Sequence, residues 1–218
     1  MQLKRSIPSR LLVKPLPIAR KLFPDAIWRL DEKEKCIYLT FDDGPIPEVT
    51  PWVLDTLKTW NAKATFFCIG NNVAAHPSIL KRINEEGHSI GNHTYNHFNG
   101  WKSKMDGYTQ EVLLCQQEID KHISSYSPKL FRPPYGKLKI NQYRKLKSEY
   151  VVVMWDVLSM DYDLSVSKEA VLKNVLKHSD CGSVVVFHDS IKAAEKIRFS
   201  LPKVLEHFSQ LGFEFKAL

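Results

Sequence analysis

An alternation of short apolar runs with helix-like segments constrains the fold of this chain more than any other feature of its sequence. From residue 35 onward, each apolar, β-branched or aromatic run is followed by a turn and a segment with helical spacing. The predicted strands are residues 35–41, 64–70, 88–94, 129–135, 150–157, 182–189 and, more weakly, 213–218. Uninterrupted runs such as YVVVMW and SVVVF are typical of strands that are buried on both faces of a parallel sheet.

The segments between these runs carry the start signals of helices. Thr50 stands before Pro51, His76 stands before Pro77, and Ser167 precedes an apolar series. Alternating strands and helices predict an α/β domain with parallel strands. About seven such units in roughly 185 residues fit a distorted, shortened (β/α)7-type, TIM-like barrel better than an eight-fold barrel, with a doubly wound open sheet as the alternative. In either fold, sites form at the C-terminal ends of the strands.

The positive charge of the chain is concentrated at its front. The net charge is +7, and six cations precede the first acid, Asp25. They are Lys4, Arg5, Arg10, Lys14, Arg20 and Lys21. The remainder is nearly neutral, which argues against a nucleic-acid partner. We therefore predict a basic N-terminal extension over residues 1–34, packing on or preceding the domain and able to dock weakly on an anionic surface, and a main domain over residues 35–218.

Signals for export or membrane insertion are not apparent in the sequence. The longest apolar stretch of the extension is Leu11, Leu12 and Val13, well short of the ~7 to 15 residues of a secretory core. No window approaches the ~18 residues of a membrane span. The four cysteines form no CxxC pair and are predicted to be reduced thiols in or near the core. These features favour a cytoplasmic location over association with the cell envelope, and they leave the oligomeric state open.

Ionisable side chains stand at the C-terminal ends of five predicted strands. They are Asp42 and Asp43, His93 and His97, Arg132, Asp161, and His188. Singly, each has a structural explanation, since an HxxxH pair is usually two surface histidines and a DDG is usually a capped turn. Together they predict one site, because the ends of parallel strands meet at one end of a barrel.

A metal site is the chemistry that this combination of residue types suggests. Two imidazoles one helical turn apart and a carboxylate from a neighbouring strand form a three-ligand zinc site with a position open for water. Neighbouring residues on a strand face opposite sides, so Asp42 and Asp43 need not share one task. One carboxylate can bind the ion while the other moves a proton.

In this order, the motifs resemble those of the polysaccharide deacetylase family (carbohydrate esterase family 4, the chitooligosaccharide deacetylase homology domain). The matching motifs are TFDDGP at 40–45, HTYNH at 93–97, RPPY at 132–135, Asp161-Tyr162, and VFH at 186–188. The resemblance covers residues 35–218 and implies a distorted (β/α) barrel. It also implies a metal-dependent hydrolase that removes acetyl groups from N-acetylated sugars of a chitin-like or peptidoglycan-like glycan.

The resemblance implies a role for each residue of these motifs. Asp43, His93 and His97 would hold a divalent ion, with Zn²⁺ expected first and Co²⁺, Ni²⁺ or Mn²⁺ as alternatives. Asp42 would be the general base, held by Arg132. His188 would be the general acid, oriented by Asp161, and the backbone N–H of Tyr135 would contact the oxyanion.

Two departures from the family pattern bear on the substrate. Tyr162 stands where the family usually has Trp, and Val186 stands where it usually has Leu; both positions are expected to line or border the acetyl pocket. Trp101 is either an aromatic platform beside the sugar or an ordinary packed side chain. Alternatives to the N-deacetylase are an O-acetyl-glycan esterase or a cyclic-amide hydrolase on the same site, or a catalytically silent carbohydrate-binding barrel.

Overall fold

The computed structural model describes residues 13–30, 33, 35–124 and 128–218. The strands are β1 Cys36–Asp42, β2 Ala64–Cys68, β3 Ser89–Asn92, β4 Leu130–Phe131, β5 Val151–Val152, β6 Val157–Leu158, β7 Val184–His188 and β8 Glu214–Phe215. The α-helices are α1 Pro17–Leu22, α2 Thr50–Thr59, α3 Gly70–Ala75, α4 Pro77–Glu85, α5 Met105–Asp120, α6 Ile140–Leu146, α7 Lys168–His178 and α8 Ala194–Gln210. None of these helices has the length and apolar character needed to cross a lipid bilayer.

The sheet is parallel throughout and is built around β1. Its strand order is β5-β4-β3-β2-β1-β7-β6, and β8 pairs with the beginning of β1. All seven residues of β1 are buried, as expected for a strand with helices on one face and the barrel interior on the other. The result is a curled half-barrel, so the prediction of a distorted, shortened TIM-like barrel is confirmed.

The prediction of a single strand over residues 150–157 is wrong. β5 ends at Val152 and β6 begins at Val157, and the two strands lie at opposite edges of the sheet. Between them, Val153 and Met154 are buried although they cross from one edge to the other. An apolar run in a sequence indicates burial and not strand pairing. Because this crossing segment is as buried as a strand, the sequence did not distinguish the segment from the strands on either side of it.

The strand predicted over residues 129–135 is reduced to two residues. Pro133 and Pro134 lack the N–H that a sheet ladder requires, so pairing stops at Phe131. The chain then forms a 3₁₀ turn over Pro134–Gly136. This early end leaves Arg132 at the rim of the sheet, where its main-chain N–H donates to the carbonyl of Asn92.

The core consists of side chains that meet across the central strands. Phe41 stacks between Phe66 and Phe187, with ring centroids 5.0 and 6.1 Å apart. Three cysteines are buried and Cys181 is half-buried, and all four are free thiols, as predicted. This packing holds in place the central strands whose ends carry the site residues.

Residues 27–29 pair with the chain next to β5 and β7. Ile27 pairs in parallel with Val153, and Arg29 pairs in antiparallel fashion with Ser183. Trp28 is buried between them. Its indole N–H donates to the main-chain carbonyl of Phe23 at 3.1 Å. This part of the predicted extension therefore packs against the barrel.

The buried carboxylate of Asp156 binds helix α1 and the residues just before it. Asp156 is 1% exposed and accepts hydrogen bonds from Lys14 at 2.7 Å, from Arg20 at 2.8 Å and from the Ser183 hydroxyl at 2.8 Å. Two of the six cations that precede Asp25 are thus engaged by the domain. Lys4, Arg5 and Arg10 lie outside the described residues, and docking of the extension on an anionic surface stays a prediction.

Candidate functional site

Three potential metal ligands converge above the ends of β1 and β3. One ligand atom each of Asp43, His93 and His97 can be chosen so that all lie within 4.8 Å of one another. Asp43 Oδ1 is 3.8 Å from His93 Nε2 and 3.3 Å from His97 Nε2. That oxygen is buried and lacks a hydrogen-bond partner among the described residues. A buried carboxylate oxygen without a donor is costly, and a cation between the three groups would satisfy it.

The outer nitrogens of both imidazoles are engaged, which orients the inner ones. His93 Nδ1 lies 2.8 Å from the main-chain carbonyl of Arg132, so it carries the proton and leaves Nε2 free to bind a metal. His97 Nδ1 lies 3.1 Å from the Tyr135 hydroxyl. Burial lowers the pKa of His93 and brings the pKa of His97 to about 4, so both rings are neutral near pH 7, as metal ligands must be.

The HTYNH segment is not a helical turn, contrary to the prediction. Thr94 and His97 adopt left-handed backbone conformations, with φ of 63° and 55°. Asn92 Oδ1 accepts the N–H of Thr94 at 2.9 Å, and the Thr94 hydroxyl accepts the N–H of Phe98 at 2.8 Å. These local bonds compete with helix formation and fold the segment back, so that both imidazoles reach Asp43.

Asp42 and Asp43 point differently, for a reason other than strand alternation. Asp42 is the last residue of β1, whereas Asp43 lies beyond the strand with φ of 84°. Asp42 Oδ1 accepts a hydrogen bond from Arg132 at 2.7 Å, while its Oδ2 is 3.9 Å from His93 Nε2. Asp42 thus lies beside the three potential metal ligands and is held in place by Arg132.

Arg132 is fully buried and its donors are satisfied. Its Nη1 donates to Thr40 and to Asp42, each at 2.7 Å, and its Nη2 donates to the carbonyl of Met154 at 2.7 Å. The guanidinium carbon lies 4.1 Å from the centre of the Phe67 ring. Burial alone would raise the pKa of Asp42, but Arg132, with two nearby histidines, holds it below its ordinary value. Asp42 is therefore ionised at neutral pH.

His188 and Asp161 form a second ion pair at the end of the neighbouring strand β7, where His188 is in register with Asp42. One carboxylate oxygen of Asp161 is 2.7 Å from His188 Nδ1, and the other accepts the His188 main-chain N–H at 2.8 Å. Burial alone would lower the pKa of His188, but the carboxylate raises it to about 9. The imidazole is therefore protonated near neutral pH.

The four residues predicted to contact substrate occupy different environments. Tyr135 and Trp101 are well exposed, at 59% and 61%, so Trp101 is not an ordinary packed side chain. The Tyr162 ring makes an edge contact with His188, with centroids 4.9 Å apart. Val186 is 1% exposed and packs in the main core, two residues before His188.

Asp189 is a site residue that the sequence analysis missed. Its buried carboxylate accepts the N–H of Gly44 at 2.9 Å and the Thr50 hydroxyl at 2.5 Å, and its own N–H donates to the carbonyl of Asp42. A Cβ on Gly44 would lie 2.0 Å from this carboxylate, so the glycine permits the close approach. Burial raises the pKa of Asp189 to about 7. A carboxylate directly after His188, at the end of an apolar strand, was the available signal.

Comparison with known proteins identifies relatives of this chain. Residues 29–152 match the family model described as Polysaccharide deacetylase. A peptidoglycan-N-acetylglucosamine deacetylase of Bacillus cereus is 43% identical over 155 residues, which is 71% of this chain and 56% of that protein. A peptidoglycan-N-acetylglucosamine deacetylase of Listeria monocytogenes is 34% identical over 97% of this chain and 41% of its own length. The chain thus spans about half the length of these two relatives.

A solved structure gives the same picture at the level of the fold. The crystal structure of the Bc1960 peptidoglycan N-acetylglucosamine deacetylase, in complex with an N-oxidanyl-benzamide, superposes with a TM-score of 0.82. It is 36% identical, with 88% of this chain and 89% of that chain covered.

Proposed function

Because the chain belongs to the polysaccharide deacetylase family, we propose that it hydrolyses the acetamide group of N-acetylated sugars within a glycan. One observation carries the proposal: a buried ionised carboxylate, a protonated imidazole and three potential metal ligands meet at the ends of β1, β3 and β7. A carbohydrate-binding barrel without activity has no use for a base and an acid in opposite protonation states.

The ligand set Asp43, His93 and His97 suits a divalent ion, with Zn²⁺ as the first candidate and Co²⁺, Ni²⁺ or Mn²⁺ as alternatives. When bound, such an ion supplies Lewis-acid activation of water and of the acetamide carbonyl. The chain contributes neutral imidazoles of fixed orientation and a carboxylate oxygen that has no competing hydrogen bond from the residues that the structure describes.

Asp42 acts as the general base in this proposal. It has to be ionised to take a proton from water, and the pairing with Arg132 maintains that state. Because Arg132 is fixed by Thr40 and Met154, it also fixes the direction in which the free oxygen of Asp42 points. A positioned base of this kind contributes about 10² to 10⁴-fold to the rate.

His188 acts as the general acid. Its protonated ring, held by Asp161, gives a proton to the sugar nitrogen as the C–N bond breaks, so that the amine leaves without a negative charge. The main-chain N–H of Tyr135, in a left-handed turn with φ of 60°, is proposed to donate to the developing oxyanion. Tyr162 is proposed to border the acetyl group through its contact with His188, whereas Val186 is buried in the core.

The substrate class is proposed from the relatives. Those reported above are named for N-acetylglucosamine of peptidoglycan, so a glycan strand of that type is the first candidate. O-acetyl-glycan esters and cyclic amides are second candidates, since the same base and acid serve all three reactions.

Acetate release tests the proposal. The protein, loaded with Zn²⁺, is incubated with N-acetylglucosamine oligomers, peptidoglycan fragments and acetylxylan, and both acetate and the new amine are quantified. We expect equal amounts of acetate and amine from the first two, and loss of both after chelation. Tight oligosaccharide binding with no acetate from any substrate would identify a silent binding barrel, whereas acetate from acetylxylan alone would identify an esterase.

A further inference from the structure

An exposed surface of two aromatic rings and a lysine extends outward from the ligand His97. The Tyr135 ring centre lies 4.5 Å from that of His97. Lys137 Nζ lies 5.6 Å from the Tyr135 ring centre and 5.5 Å from the Trp101 ring centre. We refer to Trp101, Tyr135 and Lys137 as the aromatic–lysine surface. It begins at the proposed metal centre and leads away from it.

The two loops that carry this surface are fastened to each other. The Trp101 indole N–H donates to the carbonyl of Leu138 at 3.3 Å, and Lys139 Nζ donates to the carbonyl of Ser103 at 2.7 Å. A Cβ on Gly100 would lie 2.3 Å from the carbonyl oxygen of Lys137, so the loops touch where only glycine fits. Trp101 is therefore held in place while most of its surface faces solvent.

The charged side chains of these two loops are all positive. Residues 98–104 and 135–139 contain the lysines Lys102, Lys104, Lys137 and Lys139 and no acidic residue. Lys137 is half-buried between the two rings, and no carboxylate pairs with it among the residues that the structure describes. An ammonium group that has lost part of its water and lacks a counter-ion favours an anionic ligand.

We propose that the aromatic–lysine surface binds a carboxylate-bearing sugar next to the N-acetylated sugar that is deacetylated. Trp101 offers its face to the apolar side of the sugar ring, and Lys137 pairs with the carboxylate. The inference rests on the proposed function and specifies it: the substrate is an acidic glycan strand, and the acid lies one or more sugars away from the reacting group.

Matched oligosaccharides test this preference. One is a tetrasaccharide of alternating N-acetylglucosamine and N-acetylmuramic acid with free lactyl carboxylates, and the other is the same molecule with those carboxylates converted to methylamides. For the unmodified protein we expect a KM about two- to fivefold lower for the free acid, the range of an exposed ion pair. Salt at about 1 M should remove most of the difference.

Variants assign the preference to Lys137. In Lys137→Met the ratio of the two KM values should fall to near one, and Lys137→Arg should restore part of it. The control is Lys203→Met, because Lys203 Nζ also lies over an aromatic ring, Phe199 at 4.2 Å, but on the surface of α8. This control should keep the ratio of the unmodified protein.

Two outcomes would overturn the inference: equal KM values for the acid and the methylamide in the unmodified protein, or a ratio that survives in Lys137→Met. Calorimetric binding of both tetrasaccharides to Asp42→Asn gives the same comparison without turnover. Absence of acetate from every substrate would instead count against the proposed function, and the binding ratio would still decide the role of Lys137.

Discussion

At the scale of single residues, Asp42 and Asp43 differ in what surrounds each carboxylate. Asp42 is paired with a buried guanidinium, whereas a buried oxygen of Asp43 faces the imidazole nitrogens of His93 and His97. The difference arises at one backbone angle, because Asp43 leaves the strand in a left-handed conformation. Non-glycine residues adopt such angles at a cost, and they are common at functional sites.

Replacing Asp42 by Asn tests the separation of these two tasks. The amide keeps an oxygen for Arg132 but does not take a proton from water. We expect Asp42→Asn to bind metal with unchanged stoichiometry while kcat falls about 10² to 10⁴-fold. Elemental analysis and acetate release measure the two quantities. Asp43→Ala is the matched comparison and should lose metal and activity together; unmodified rates in Asp42→Asn would rule out the assigned base.

The pH profile reports on His188. The acid has to be protonated, and Asp161 raises its pKa to about 9, so kcat/KM should hold at neutral pH and fall as the pH rises through about 9. In Asp161→Asn the raising charge is gone, and the alkaline fall should move toward the ordinary histidine value of about 6.5. An alkaline limb in the same place in both proteins would show that another group sets it.

At the scale of elements, the polar residues at strand ends were predictable and the loops between them were not. The apolar runs of the sequence predicted the bounds of β1 and β7 to within about two residues. They therefore also predicted the positions of Asp42 and His188 at the strand ends. The left-handed angles at Thr94 and His97 depend on the hydrogen bonds of Asn92 and Thr94, which an HxxxH spacing does not reveal. The spacing therefore indicated residues that the structure brings together, but on the wrong backbone conformation.

The turn after β1 depends on β7 through Asp189. Asp189→Ala would leave the N–H of Gly44 and the hydroxyl of Thr50 without their buried acceptor, at a cost of about 1–3 kcal/mol for each group. We expect lower stability in urea and weaker Zn²⁺ binding, because Asp43 adjoins this turn. Asp189→Asn keeps one acceptor oxygen and should recover part of both. Equal Zn²⁺ affinity in Asp189→Ala and the unmodified protein would contradict this role.

At the scale of the whole molecule, residues outside the predicted domain pack against the half-barrel. Strand order leaves β5 and β6 as edges, and residues 27–29 bridge from Val153, which follows β5, to Ser183, which precedes β7. The predicted domain begins at residue 35 because the repeating pattern of strands and helices starts there. An irregular segment with no periodicity gives no sign that its side chains complete a core; the boundary itself stays a prediction.

Removing the Trp28 side chain tests this dependence. Trp28 is buried with Phe23 and Tyr143, so Trp28→Ala should lower the free energy of unfolding by about 3–5 kcal/mol. Urea denaturation measures the change. Trp60→Ala, at an exposed position at the end of α2, is the control and should change stability by no more than about 0.5 kcal/mol. Similar values for the two variants would mean that residues 27–29 are not part of the cooperative unit.

The pairing of Ile27 with Val153 and of Arg29 with Ser183 also has a consequence during synthesis. Ile27, Trp28 and Arg29 leave the ribosome long before their partners have been translated. A nascent chain therefore carries this segment without its sheet partners until Val153 and Ser183 emerge, and the two pairings can form only after that.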